Sequence, residues 1–203
     1  QGPVDSVDVL VDPGLDMTDI QPSLDTQDGS VEVLEYLHSK DPELLSQTNK
    51  NGHTPATLAV LSGKVEVLKK LHELNPELLS QTATSGHTPA TLAAVYGKVE
   101  VLEKLHELDP ELLFQTDTNG RTPAIFALEN GKVEVLKRLH ELNSKLFSHK
   151  VNDGRTPLIY LVRRGDFEGL ERLHELNPRL LFERDENGYT LAMQVVSKRN
   201  FKV

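Results

Sequence analysis

Five histidines, His38, His72, His106, His140 and His174, recur along the chain at a constant spacing of 34 residues. Imidazole is a common zinc ligand and the side chain that titrates nearest neutrality, so such a series invites a metal or proton-sensing reading. Helices packed side by side sit about 8–10 Å apart, whereas zinc holds its nitrogens at about 2 Å. Neighbours in the series therefore cannot easily share one ion. They read instead as half-buried structural histidines that lend the molecule mild acid sensitivity. Glu73, Glu107, Glu141 and Glu175 each follow one of these histidines and recur by the same repetition, as a solvated helix face rather than an acid–base pair. No serine, histidine and acid grouping is tied to a nucleophile motif, and no GxGxxG or Walker-type loop is present. The absence of cysteine excludes disulfides and thiolate metal sites. No metal, no cofactor and no catalysis are expected from this chain.

What positions these residues is a repeat. TPATLA occurs at Thr54 and again at Thr88, and Thr122, Thr156 and Thr190 continue the series. A glycine stands two residues before each of them (Gly52, Gly86, Gly120, Gly154, Gly188), and Gly29, Gly63, Gly97, Gly131 and Gly165 form a second series in the same phase. A fixed period in this range marks a stack of supersecondary units, each too small to bury its apolar face alone. In the unit 49–82, Asn51-Gly52 is a turn signal, Thr54 a helix N-cap and Pro55 the first helical residue, where a missing N–H costs nothing. A short helix rich in small residues runs to about Ser62 and is closed by Gly63. KVEVLKKLHEL, from Lys64 to Leu74, is a second helix with Val65, Leu68, Leu71 and His72 near one stripe. Asn75-Pro76-Glu77 opens a further helical turn carrying Leu78 and Leu79. Four complete units follow one another at 49–82, 83–116, 117–150 and 151–184. A partial unit precedes them (Ser30–Thr48), and NGYTLAMQVVSKRNFKV supplies a first helix after them. Phe201 is in phase with Phe167, so the chain reads as a portion of a longer protein.

The unit resembles the ankyrin repeat, whose pattern runs turn, G-x-T-P-L-H-x-A-A, short helix, glycine, second helix, turn. The resemblance covers residues 29–203 and implies an all-α solenoid of stacked helix-turn-helix units. TPLH becomes TPAT at Thr54–Thr57 and Thr88–Thr91, TPAI at Thr122–Ile125, TPLI at Thr156–Ile159 and TLAM at Thr190–Met193. The family histidine that bonds between repeats is thus missing throughout. The period is longer than the family's usual length of about 33 residues, and an NPELL-type turn replaces the family's connecting segment. These departures imply short or absent β-fingers, as in divergent plant-like or bacterial-effector-like members.

Members of that family hold partners with the turn before the TP motif and the outward end of the first helix. Those positions vary here while the second helices are nearly copied. Before the threonine stand His53, His87, Arg121, Arg155 and Tyr189; seven and eight residues after it stand Leu61-Ser62, Val95-Tyr96, Glu129-Asn130, Arg163-Arg164 and Ser197-Lys198. The resulting candidate surface comprises Leu61, His87, Val95, Tyr96, Arg121, Glu129, Asn130, Arg155, Arg163, Arg164, Tyr189 and Lys198. It grades from apolar in the early units to arginine-rich in the late ones. Arginine clusters bind carboxylates or phosphates through paired hydrogen bonds. The expected partner is therefore a protein or peptide that is acidic with apolar anchors.

A net charge of −9 argues against general nucleic-acid affinity, and no apolar run is long enough to span a membrane. The start, QGPVDSVDVL, lacks the basic-then-apolar pattern of a signal peptide, and the missing cysteines suit a reducing, cytoplasmic setting. A monomer is expected. Residues 1–28 carry seven aspartates and no lysine or arginine, interleaved with apolar residues. They read as a disordered segment, an irregular cap or a docked or fused peptide. Protein recognition is the leading function. The alternative is a substrate-docking or targeting domain of a larger enzyme or secreted effector, autoinhibited by residues 1–28 in its own groove.

Overall fold

Threonine and proline set the start of every first helix. In the computed structural model, which describes residues 29–151, 154–184 and 187–197, the backbones of Thr54, Thr88, Thr122 and Thr156 are extended. Their hydroxyls accept the N–H three residues on, at Thr57, Thr91, Ile125 and Ile159. Each cap satisfies one donor left over at a helix start, and proline occupies the position whose N–H would have been orphaned. Ten helices are formed among the described residues. Those of the first kind are α2 (Pro55–Ser62), α4 (Pro89–Val95), α6 (Pro123–Glu129), α8 (Pro157–Arg164) and α10 (Leu191–Ser197). Those of the second kind are α1 (Gly29–Lys40), α3 (Val65–Leu74), α5 (Val99–Leu108), α7 (Val133–Leu142) and α9 (Phe167–Leu176). In the TPAT units the histidine's place is taken by a buried threonine. Thr57 donates its hydroxyl to the Thr54 carbonyl at 3.0 Å, and Thr91 donates to that of Thr88 at 3.1 Å. The group is satisfied within its own turn and does not bridge to a neighbour.

Asn75-Pro76-Glu77 starts a turn of 3-10 helix, Pro76–Leu79, and its counterparts are Pro42–Leu45, Pro110–Phe114, Ser144–Phe147 and Pro178–Phe182. In each, the preceding Asp or Asn side chain accepts the N–H two residues on. These turns drive Leu45, Leu78, Leu79, Leu112, Leu113, Leu146 and Phe147 into the core. There they meet Leu68, Leu71, Leu102, Leu105 and Leu139, all fully buried on the second helices. Alanines 56, 59, 90, 93, 94, 124 and 127 are buried on the first helices. Their small side chains let α2, α4, α6 and α8 stack as one row while α1, α3, α5, α7 and α9 stack as the other. The core lies between the two rows.

Among the described residues no strand forms, and the only β feature is an isolated antiparallel bridge between Arg184 and Thr190. Backbone bonds step directly from one turn to the next instead: the Thr84 N–H donates to the Gly52 carbonyl at 2.8 Å, and that of Thr118 donates to Gly86 at 3.2 Å. Four of the five phased histidines, His38, His72, His106 and His140, are half-buried, whereas His174 is exposed. On the outer face of the second helices, Glu35 pairs with Lys70 of the next unit at 2.7 Å and Glu103 with Arg138 at 2.6 Å. The intervening positions hold Lys69 and Lys137 in place of the glutamate, so this bridge forms at every second junction. The acidic segment 1–28, Lys198 and Phe201 lie outside the described residues.

Candidate partner-binding surface

The turn before each first helix is built by local hydrogen bonds that the sequence varies in alternation. The Asn49 carbonyl oxygen of the side chain accepts from the N–H groups of Asn51 and His53, both at 3.0 Å. Asp117 does the same for Asn119 and Arg121 at 2.9 and 2.8 Å. Ala83 and Val151 stand in the same place, and their own N–H groups donate to the carbonyls of His87 and Arg155 at 2.9 Å.

Asp117 has a second use. Its buried carboxylate receives the Arg121 guanidinium in a paired contact, with Nε at 3.0 Å and Nη2 at 2.9 Å. Both bonds end on one oxygen, Oδ2, and hold that edge of the guanidinium, whose carbon lies 4.1 Å from the centre of the Phe126 ring. His87 approaches the same ring, with centroids 5.1 Å apart. Burial holds the His87 imidazole below its ordinary range; Asp117 opposes that effect and Arg121 reinforces it.

One unit further on, Glu129 ends α6 with its side chain only 14% exposed. Arg164 Nε lies 3.1 Å from one of its oxygens, and Arg121 Nη1 lies 3.8 Å from the other. Burial raises the Glu129 carboxyl above the usual carboxylate range and outweighs the pull of Arg164 and Arg121. Tyr160 is buried, with the guanidinium carbons of Arg155 and Arg164 at 5.7 and 5.8 Å from its ring centre. Desolvation, then the Glu129 charge, pushes its phenol above the ordinary tyrosine value. Arg121, Arg155, Arg163 and Arg164 converge with Asn119 and Tyr160 on a cleft of about 470 Å³.

The structure thus brings Arg121, Arg155, Arg163 and Arg164 to one place, with Glu129 held against two of them. Asn130 closes α6, its side chain donating to the Phe126 carbonyl at 2.8 Å. Leu61 and Val95 are half-buried and packed against the core, and Tyr96 is 58% exposed. Neither they nor the half-buried Tyr189 line this cleft. Sequence reasoning passed over Asn119, Tyr160, Asp117 and Phe126. A signal existed, for the series Leu58, Leu92, Phe126, Tyr160 turns aromatic where the arginines appear. Among the described residues no group of three histidine or acidic side chains is placed to hold a metal ion, and no helix is long and apolar enough to cross a membrane.

Residues 24–113 and 106–180 match the family model described as ankyrin repeats (3 copies). No curated protein matches the chain.

Proposed function

The chain belongs to the ankyrin-repeat family and is a protein–protein interaction module, and from that premise we propose that it holds an acidic, partly apolar segment of its partner along the turns and first helices. The observation that carries this reading is that four arginines line one cleft, in the units that follow the exposed Tyr96 ring. Charged donors gathered from separate turns recognise carboxylates or phosphates, and a large exposed aromatic nearby suits an apolar anchor. A chain of contacts supports treating the face as one surface: His87 to Phe126, Arg121 to Glu129, Glu129 to Arg164. We place the partner in the cytoplasm and expect the module to act as a monomer.

A displayed library of random peptides tests this. Selected sequences should be enriched in acidic residues with interspersed apolar ones. Reversing Arg163 and Arg164 to glutamate should weaken the selected peptides by about tenfold or more, because charge-assisted hydrogen bonds are worth about 1.5–3 kcal/mol each. Reversing Lys69 and Lys137, exposed on the second helices with only a long 3.9 Å contact from Lys137 to the exposed Glu134, changes the net charge equally and should have little effect. Lys70 is unsuitable for that control, since it pairs with Glu35 and Glu73. Equal losses from the two double reversals, or selection without acidic enrichment, would discard the reading.

A further inference from the structure

Resting on the acidic-partner reading, we propose that the anionic group received by the cleft of Arg121, Arg155, Arg163 and Arg164 is a phosphate monoester on a side chain of the partner. Three features of the site carry this.

The first is the number and origin of the donors. The arginines come from the turn before α6, the turn before α8 and the end of α8, three separate backbone segments that line one cleft of about 470 Å³. A carboxylate presents two oxygens in a single plane. A phosphate monoester presents three around a tetrahedron and carries a charge of about −1.5 to −2 at neutral pH. Donors arriving from several directions are better used by the second.

The second feature is Glu129. Its carboxylate already holds Arg164 at 3.1 Å and reaches Arg121 at 3.8 Å. Because it is tethered, it competes at the high effective concentration of an intramolecular group. A carboxylate from a partner has the same chemistry and gains little by replacing it. A phosphate brings an additional oxygen and additional charge, so it can win the exchange. Glu129 therefore sets a threshold that a dianion passes more readily than a single carboxylate, which binds the same arginines more weakly.

The third is that Arg121 is oriented beforehand. Asp117 Oδ2 holds one edge of its guanidinium through two hydrogen bonds, and Phe126 supports its face. Ordering costs that a ligand would otherwise meet are reduced in advance.

The test uses the full chain labelled with nitrogen-15, reading the Nε–H resonances of its arginines at constant ionic strength. The probes are the amide of N-acetyl-O-phosphoserine, the amide of N-acetyl-glutamate and inorganic phosphate. The phosphoserine probe should move the resonances of Arg121, Arg155, Arg163 and Arg164, leave Arg138 and Arg179 unmoved, and half-saturate at a concentration about tenfold below that of the glutamate probe, a margin of one charge-assisted hydrogen bond. Glu129→Gln should narrow that margin by admitting the glutamate probe. Should that variant fail to fold, the comparison of probes on the parent chain decides alone. Equal or tighter binding of the glutamate probe would overturn the inference, as would unmoved cleft resonances. Inorganic phosphate binding more tightly than phosphoserine would overturn the assignment to a partner side chain. Acidic library peptides that depend on Arg163 and Arg164, found together with a silent phosphoserine titration, would sink this inference and leave the acidic-partner reading standing. Bound phosphoserine together with library peptides that bind without acidic enrichment would sink the acidic-segment reading and leave the phosphate assignment standing.

Discussion

Two glycines with the same backbone sign are constrained for different reasons. Gly97 has φ of 68° with open space where a Cβ would sit, whereas Gly52, at φ of 78°, would drive a Cβ into the Thr84 side chain of the next turn. Gly97→Ala should cost only the left-handed strain, about 1–2 kcal/mol. Gly52→Ala should cost more, because Thr84 must also move while its N–H stays bonded to Gly52. Urea denaturation of the two variants checks this, and equal losses would show that Thr84 gives way freely. His87, outside the phased series, should add a pH response of its own. Its folded pKa lies below the ordinary 6.5 because burial disfavours the cation. Its contribution to stability is therefore fully present above the unfolded value and is lost as pH falls through the folded one. The groups facing it, Asp117 and Arg121, act in opposite directions. Denaturation midpoints measured from pH 7 downward should fall less steeply in His87→Gln than in the parent chain; superimposable curves would assign the acid sensitivity elsewhere.

Among the elements, the second helices show how a near-copied sequence still distinguishes one junction from the next. Glu35 meets Lys70 and Glu103 meets Arg138, and at the junction between them Lys69 stands where a glutamate would face Lys104. Lys104 turns to Glu107 of its own helix at 2.7 Å. Lys69→Glu should add the missing bridge and stabilise the chain by less than about 1 kcal/mol, since the pairs are exposed. The gain should fade at high salt, as thermal melts with and without salt will show. A loss of stability would mean that the junction geometry differs from its neighbours. The elements themselves were legible in the sequence because their determinants are local: a threonine cap, a proline at the first helical position, a glycine at the end. The cleft was legible only in part. The arginines stood out as departures from a repeated pattern. The pairing of Glu129 with Arg164 joins residues in different units, and no phase within a unit reveals which oxygen meets which guanidinium. Tyr160 was hidden because it occupies a position that is leucine in two earlier units.

A stack in which each unit touches only its neighbours distributes stability along its length. Leu102, fully buried on α5 in the middle, contacts a core shared with units on both sides, whereas Leu34 on α1 belongs to the first described helix. Leu102→Ala should cost about 2–5 kcal/mol and Leu34→Ala less, with exposed Glu100→Ala near neutral. Calorimetric melts of the three variants provide the comparison, and a larger loss from Leu34→Ala would contradict the one-dimensional picture. The floor of the cleft has an optical consequence. The chain has no tryptophan and four tyrosines, so its ultraviolet emission comes from phenols alone, with no indole to drain or mask it. Tyr160 sits under two guanidiniums, and its phenol ionises above the ordinary value of 10.0. Light absorbed and re-emitted at that ring should change when an anion enters and rearranges the charges around it. The molecule thus carries its own unlabelled reporter at the cleft.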